Sequence, residues 1–105
     1  MSDWRRYEIL LPLKFNDGRA VPRDLVTETL LNLEQQFGAV SCETQIIQGS
    51  WRHGEERFRD DLIRIFVDVQ DLPQHRDFFR TFKEQLKIRF QQLDLWMVTY
   101  QIDVL

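Results

Sequence analysis

The chain alternates from its first apolar stretch. Tyr7, Ile9, Leu11 and Leu13 fall on one side, and Arg6, Glu8 and Leu10 on the other. Period two is the signature of a strand with one buried face. Asn16-Asp17-Gly18 signals a turn, and Pro22 suits the first turn of a helix. Leu25, Val26, Leu30, Leu33 and Phe37 then recur at helical spacing, within roughly 140° of arc. Gly38 stands where a left-handed C-terminal cap belongs. A second strand is expected over 39–50 and a third over 58–69. His53-Gly54-Glu55-Glu56 joins them as a two-residue hairpin of type II′, with Gly54 first.

That turn dictates the cross-strand register. On one face it opposes Val40 to Val69, Cys42 to Val67, Thr44 to Ile65 and Ile46 to Ile63. On the other it opposes Glu43 to Phe66, Gln45 to Arg64, Ile47 to Leu62 and Trp51 to Phe58. The first set is nearly all apolar and the second is mixed, so the first is read as core. Further on, Asp71 is placed to cap a second helix, with Pro73 in its first turn and Gln74 in the capping-box position. Phe78, Phe79, Phe82, Leu86, Phe90 and Leu93 share one face of that helix. The last strand is expected over 94–105, with Trp96, Val98, Tyr100, Ile102 and Val104 turned inward.

Strand, helix, strand, strand, helix, strand is the split βαβ order of a ferredoxin-like α+β sandwich. With right-handed crossovers, a four-stranded antiparallel sheet of order 4-1-3-2 carries two helices on one face. The 105 residues make a single domain, 1–105, since domains commonly run to roughly 100–150 residues.

If both helices cover one face, the other lacks cover from this chain. On it the alternation places Leu10, Ile47, Trp51, Phe58, Leu62, Phe66, Leu95 and Met97, with Glu8, Glu43, Gln45, Arg64, Thr99 and Gln101 among them. Monomers seldom leave so large an apolar patch open. The expected interface is therefore Ile47, Trp51, Phe58, Leu62, Phe66 and Met97, with a Glu43–Arg64 ion pair setting its register. The occupant is a second copy in a homodimer or a different protein.

Charge and chemistry narrow the rest. Fourteen Lys plus Arg against 17 Asp plus Glu leave a net charge of −3, which argues against a protein that lives on phosphate backbones. The strands expected at the centre of the sheet also lack the aromatic motif of RNA-recognition modules. No apolar run approaches the length of a membrane helix, and no apolar h-region of a signal peptide follows the N-terminal arginines. One cysteine, Cys42, forms no internal disulfide and suits a cytoplasmic setting. It is read as a small buried residue on the inward face.

No phosphate loop, dinucleotide fingerprint or metal-binding motif is present. His53 and His75 lie in a turn and near a helix start, so no metal or cofactor is expected. Asp60 and Asp61 are adjacent on a strand and point to opposite faces. The leading expectation is a non-catalytic interaction module that self-associates through the open face. The alternative is a dimeric α+β-barrel enzyme or small-ligand binder. Its pocket would lie between sheet and helices or across the dimer, lined by Tyr7, His53, Arg64, Trp96 and Tyr100.

Phe37-Gly38, Gly49-Ser50-Trp51, the stretch from Arg57 to Asp60 and Arg89-Phe90-Gln91-Gln92 together resemble small bacterial proteins of ferredoxin-like type grouped as a domain of unknown function. The likeness runs over roughly residues 7–100 and rests on short motifs, a Gly-x-Trp before the hairpin and a Phe-Gln pair before the last strand. It implies the same fold and no particular activity.

Overall fold

A computed structural model describes residues 3–105. The elements are β1 (Trp4–Pro12), α1 (Arg23–Phe37), β2 (Ser41–Cys42), β3 (Ile47–His53), β4 (Glu56–Gln70), α2 (Pro73–Arg89) and β5 (Met97–Ile102). They form a five-stranded antiparallel sheet of order β2-β4-β1-β5, with β3 pairing a second stretch of β4. Among the described residues no helix is long and apolar enough to cross a membrane.

Both helices lie on one face, as the amphipathic periods require. Tyr7, Ile9 and Leu11 of β1 and Ile65, Val67 and Val69 of β4 meet Leu33 of α1 and Phe79, Phe82 and Leu86 of α2. Tyr7 stacks on Phe79 with centroids 3.9 Å apart, and Phe37 packs edge-on against Phe78 at 5.1 Å. The helices are also tied by Thr29, which is fully buried. Its hydroxyl donates to the Leu25 carbonyl at 2.8 Å and accepts from Nη1 of Arg89 at 2.9 Å. Gly38 ends α1 in the left-handed region, φ 84°, with its N–H on the Glu34 carbonyl.

The expected four-stranded sheet of order 4-1-3-2 is corrected in its second strand. The hairpin register is as its turn dictates: Ile47 opposes Leu62, Trp51 opposes Phe58 and His53 opposes Glu56. Gly54 has φ 64°, as the first position of a type II′ turn needs. Upstream the register slips by two. Cys42 opposes Ile65 and Ser41 opposes Phe66. The pairs Val40–Val69, Cys42–Val67, Thr44–Ile65 and Ile46–Ile63 do not form. Glu43 still bonds the Arg64 carbonyl, residues 44–46 leave the ladder, and one expected strand becomes β2 and β3. Ile46 is 53% exposed, and Cys42 lies at the surface rather than in the core. A slip of two preserves which side chains face inward, so the alternation is blind to it.

The last strand is inverted relative to expectation. Met97 opposes Ile9 and Thr99 opposes Tyr7, so both lie on the helix side, and Leu95 is 4% exposed. Met97 packs on the core and is not part of the open face. Val98, Tyr100 and Ile102 take that face with Arg6, Glu8 and Trp4, their partners in β1. Both phases of this strand are apolar. The tie is broken by the connection from α2, where Phe90 and Leu95 plug the core and fix the phase in which β5 begins. The helix ends before Leu93, with Gln91 at φ 53°, and leaves Leu93 exposed.

Asp71 does not cap α2, whose N-cap is Leu72 without a side-chain bond. Its carboxylate instead takes Nε and Nη2 of Arg5 at 2.9 and 3.3 Å. A forked, charge-assisted pair outweighs one bond to a helix-end amide.

Candidate ligand cleft on the open sheet face

The centre of the open face is a charge network that the pleat assembles from three strands. Glu8 of β1 opposes Phe66 of β4 and Val98 of β5, and Arg64 comes one step along on the same face. Nη1 of Arg64 donates to Oε1 of Glu8 at 3.2 Å, and Nη2 donates to Oε1 of Glu43. The Glu43–Arg64 pair is thus formed. It joins directly opposed residues, since the Glu43 amide bonds the Arg64 carbonyl at 2.9 Å. The Tyr100 hydroxyl donates to the same oxygen of Glu8 at 2.5 Å. This bond, before all else, raises the Tyr100 phenol above its ordinary pKa. Nε of Arg64 is buried and makes no hydrogen bond among the described residues.

Arg6 forks onto Asp68 at 2.7 and 3.0 Å, and that bond leads the causes raising its pKa. Phe66 sits between the two guanidinium groups, 4.3 Å from Cζ of Arg6 and 5.4 Å from Cζ of Arg64. Cations over an aromatic face are attracted by its quadrupole.

A cleft of about 340 Å³ opens at one end of this face, within the range of roughly 300–1,000 Å³ usual for ligand sites. Its floor is Leu10, Pro12 and Leu62. The β3–β4 hairpin supplies Gly49, Ser50, Trp51 and Asp60 as one wall, and the chain between α2 and β5 supplies Gln92, Asp94, Leu95 and Trp96 as the other. Trp51 is held twice. Its ring stacks on Phe58 at 4.4 Å and 18°, and its Nε1–H donates to Oδ2 of Asp60 at 2.5 Å. Trp96 is 66% exposed. A Cβ on Gly49 would meet Cδ1 of Leu62 at 3.1 Å, so a side chain there crowds the floor.

Two carboxylates and no Lys or Arg line the cleft. The Asp94 carboxylate lies below its ordinary pKa, held foremost by the Leu95 backbone N–H and then by Lys83 at 3.3 Å. No group of three His, Cys, Asp or Glu side chains among the described residues is placed to hold a metal.

The residues singled out in the sequence are dispersed. Trp51, Leu62 and Trp96 line the cleft, while Ile47 opposes Leu62 beside it. Arg64 and Tyr100 belong to the charge network, outside the cleft lining. Tyr7 is on the helix side, 3% exposed under Phe79, and His53 is exposed where the hairpin turns. Sequence reasoning misses Gly49, Ser50, Asp60, Gln92 and Asp94 as pocket residues. The hairpin register pairs Gly49 with Asp60, a signal already present in the turn. Nothing in the sequence brings Gln92 and Asp94 to that wall.

No family model matches the chain, and sequence comparison with curated proteins finds no relative. The fold has clear counterparts. A phage SAM lyase in complex with S-methyl-5′-thioadenosine superposes with a TM-score of 0.66 at 13% identity, over 99% of this chain and 92% of that one. The apo phage SAM lyase gives 0.66 at 15% identity, over 92% and 79%. Divalent ion tolerance protein CutA1 from Ehrlichia chaffeensis gives 0.63 at 7%, over 100% and 86%. The likeness is one of fold.

The chain is an α+β protein similar in fold to both. No family model stands behind the resemblance to a bacterial domain of unknown function; the ferredoxin-like type of fold is what stands. The expectation of a non-catalytic interaction module is overturned by the same comparison. Over nearly its whole length the chain shares its fold with a lyase whose structure holds S-methyl-5′-thioadenosine.

Proposed function

We propose that the chain is a small-molecule-binding protein of enzymatic type, working as a homo-oligomer, with its site in the Trp51–Trp96 cleft. The observation that carries this reading is the lining itself. Two indoles, one of them rigidly held, face a floor of Leu10, Pro12 and Leu62, and the charged groups are carboxylates only. Indole faces favour flat heterocycles, each stack contributing about 1–3 kcal/mol. Carboxylates near aromatic faces favour a ligand that is neutral or cationic. A purine nucleoside with a sulfur substituent has this chemistry, and the lyase neighbour holds one. S-Methyl-5′-thioadenosine and the sulfonium compound S-adenosylmethionine are therefore the first ligands to try.

The cleft offers positioning and exclusion of water more than acid–base machinery. Holding a bound substrate in one reactive conformer is a source of rate. The single cysteine supports a cytoplasmic setting, and the net charge supports neither nucleic acid nor a membrane as partner. Titration of the protein with both compounds, followed by calorimetry and tryptophan fluorescence, tests the reading. Binding in the micromolar range, weakened roughly 10- to 100-fold in Trp51→Ala and mostly restored in Trp51→Phe, is the expected result. No heat and no quenching up to about 1 mM of either compound sinks it.

A further inference from the structure

We propose that a second copy of this chain covers the open sheet face and walls off the cleft at its end. The clause about the cleft rests on the ligand reading above; the association does not. The first argument is one of area. The chain exposes 7221 Å², whereas a monomer of 12.8 kDa is expected to expose about 6,300 Å². The excess, roughly 900 Å², is close to the ~800 Å² that each partner contributes to an interface of standard size. The radius of gyration, 14.4 Å, likewise exceeds the ~12.9 Å of a compact chain of this length.

The excess has a location. β4 pairs with β1 only as far as Leu62, opposite Pro12. Beyond it, the hairpin from Gly49 to Asp60 is a two-stranded ribbon, and a ribbon of two strands is marginal in water by itself. The stacked Trp51 and Phe58 lie on the ribbon, on the face it shares with Leu62 and Phe66. The inverted last strand adds to that face, because Val98 and Tyr100 point outward beside the exposed Trp96. A patch of this kind needs a cover.

Charge selects the occupant. The central cations are already paired within the chain, Arg64 by Glu8 and Glu43, and Arg6 by Asp68, which leaves one carboxylate in excess. A strongly acidic partner finds no free cation there, whereas an identical face brings in only charged groups that already have an ion-pair partner. Isologous contact about a two-fold axis requires that self-compatibility. It also carries the partner's apolar face toward the open side of the cleft.

Light scattering on the protein without ligand, at about 100 μM, tests the association. Twice 12.8 kDa, or an even multiple of it, supports it, and 12.8 kDa or three times that mass overturns it. Phe66→Arg and Val98→Lys place a charge at the centre of the face, and neither residue lines the cleft. Val98 stands opposite Glu8, so the ammonium introduced there meets a carboxylate and that variant stays compatible with the fold. Both are expected to fall to 12.8 kDa with unchanged circular dichroism. A multimer that persists in Val98→Lys with native dichroism assigns the contact to another surface and overturns the proposal. Ligand affinity in Val98→Lys should fall tenfold or more, and an unchanged affinity overturns the walling-off of the cleft. If the wild type binds neither compound, the ligand reading fails while the mass result still decides the association.

Discussion

Asp71 joins three elements through one carboxylate. It accepts from Arg5 of β1 and, at 3.1 Å, from the side-chain amide of Gln101 of β5, just ahead of α2. Its pKa lies below the ordinary 3.8, chiefly through the Arg5 bond. Asp17, bonded to the backbone and side chain of Arg19, and Asp94 are lowered as well. A carboxylate whose folded pKa is depressed contributes stability that is complete above its unfolded pKa and is lost as pH falls through the folded one. The urea midpoint should therefore drop as pH falls below about 4. In Asp71→Asn the drop should be shallower, because one of the three contributions is gone. A variant curve parallel to the wild type would remove Asp71 from the account. At this scale much was legible, since Gly38, Gly54 and the Glu43–Arg64 pair are set by local backbone and strand parity. The role of Asp71 was not, because its partners lie 66 and 30 positions away.

The break between β2 and β3 shows what pattern constrains in an element and what it leaves free. Cys42 pairs Ile65 and Ile47 pairs Leu62, so four residues on one strand face two on the other. The four are Glu43, Thr44, Gln45 and Ile46, mostly polar and readily solvated. Deleting Thr44 and Gln45 would keep Glu43 opposite Arg64 and put Ile46 opposite Ile63 in one unbroken strand. The deletion should fold with a melting temperature equal to or above that of the wild type, as thermal circular dichroism would show. A fall of more than about 5 °C, roughly 1 kcal/mol for a chain of this size, would mean the excursion itself is stabilising. The hairpin beyond it was legible because a two-residue turn leaves no freedom of register. The slip was not, because moving by two conserves the faces.

On the scale of the whole molecule, one core serves all the elements. Leu33 is fully buried between α1 and the sheet, and Leu86 and Phe90 are fully buried at the other helix. Leu33→Ala should cost about 2–5 kcal/mol, and helical and aromatic signals should melt together in one transition. Two separated transitions would show that α1 is an independent unit. The hairpin and the open face stand outside that core. Apart from Leu95, which belongs to both, this division leaves the binding surface free of the residues that hold the fold together.

Period two and period 3.6 by themselves determined that there are two amphipathic helices, where each begins and ends to within a few residues, and which side of β1 and β4 faces inward. Those follow from burial, which each element records in its own residues. Tertiary structure alone decided three things. It chose the phase of β5, where Leu95 and Met97 compete with Trp96, Val98 and Tyr100 and the plug of Phe90 and Leu95 settles the matter. It chose the two-residue slip, which changes no face. It built the cleft, whose lining is drawn from residues 10–12, 49–51, 60–62 and 92–96. These segments meet only because the hairpin and the chain after α2 arrive at the same end of the sheet. Periodicity records whether a residue is buried, but not which distant residue lies beside it.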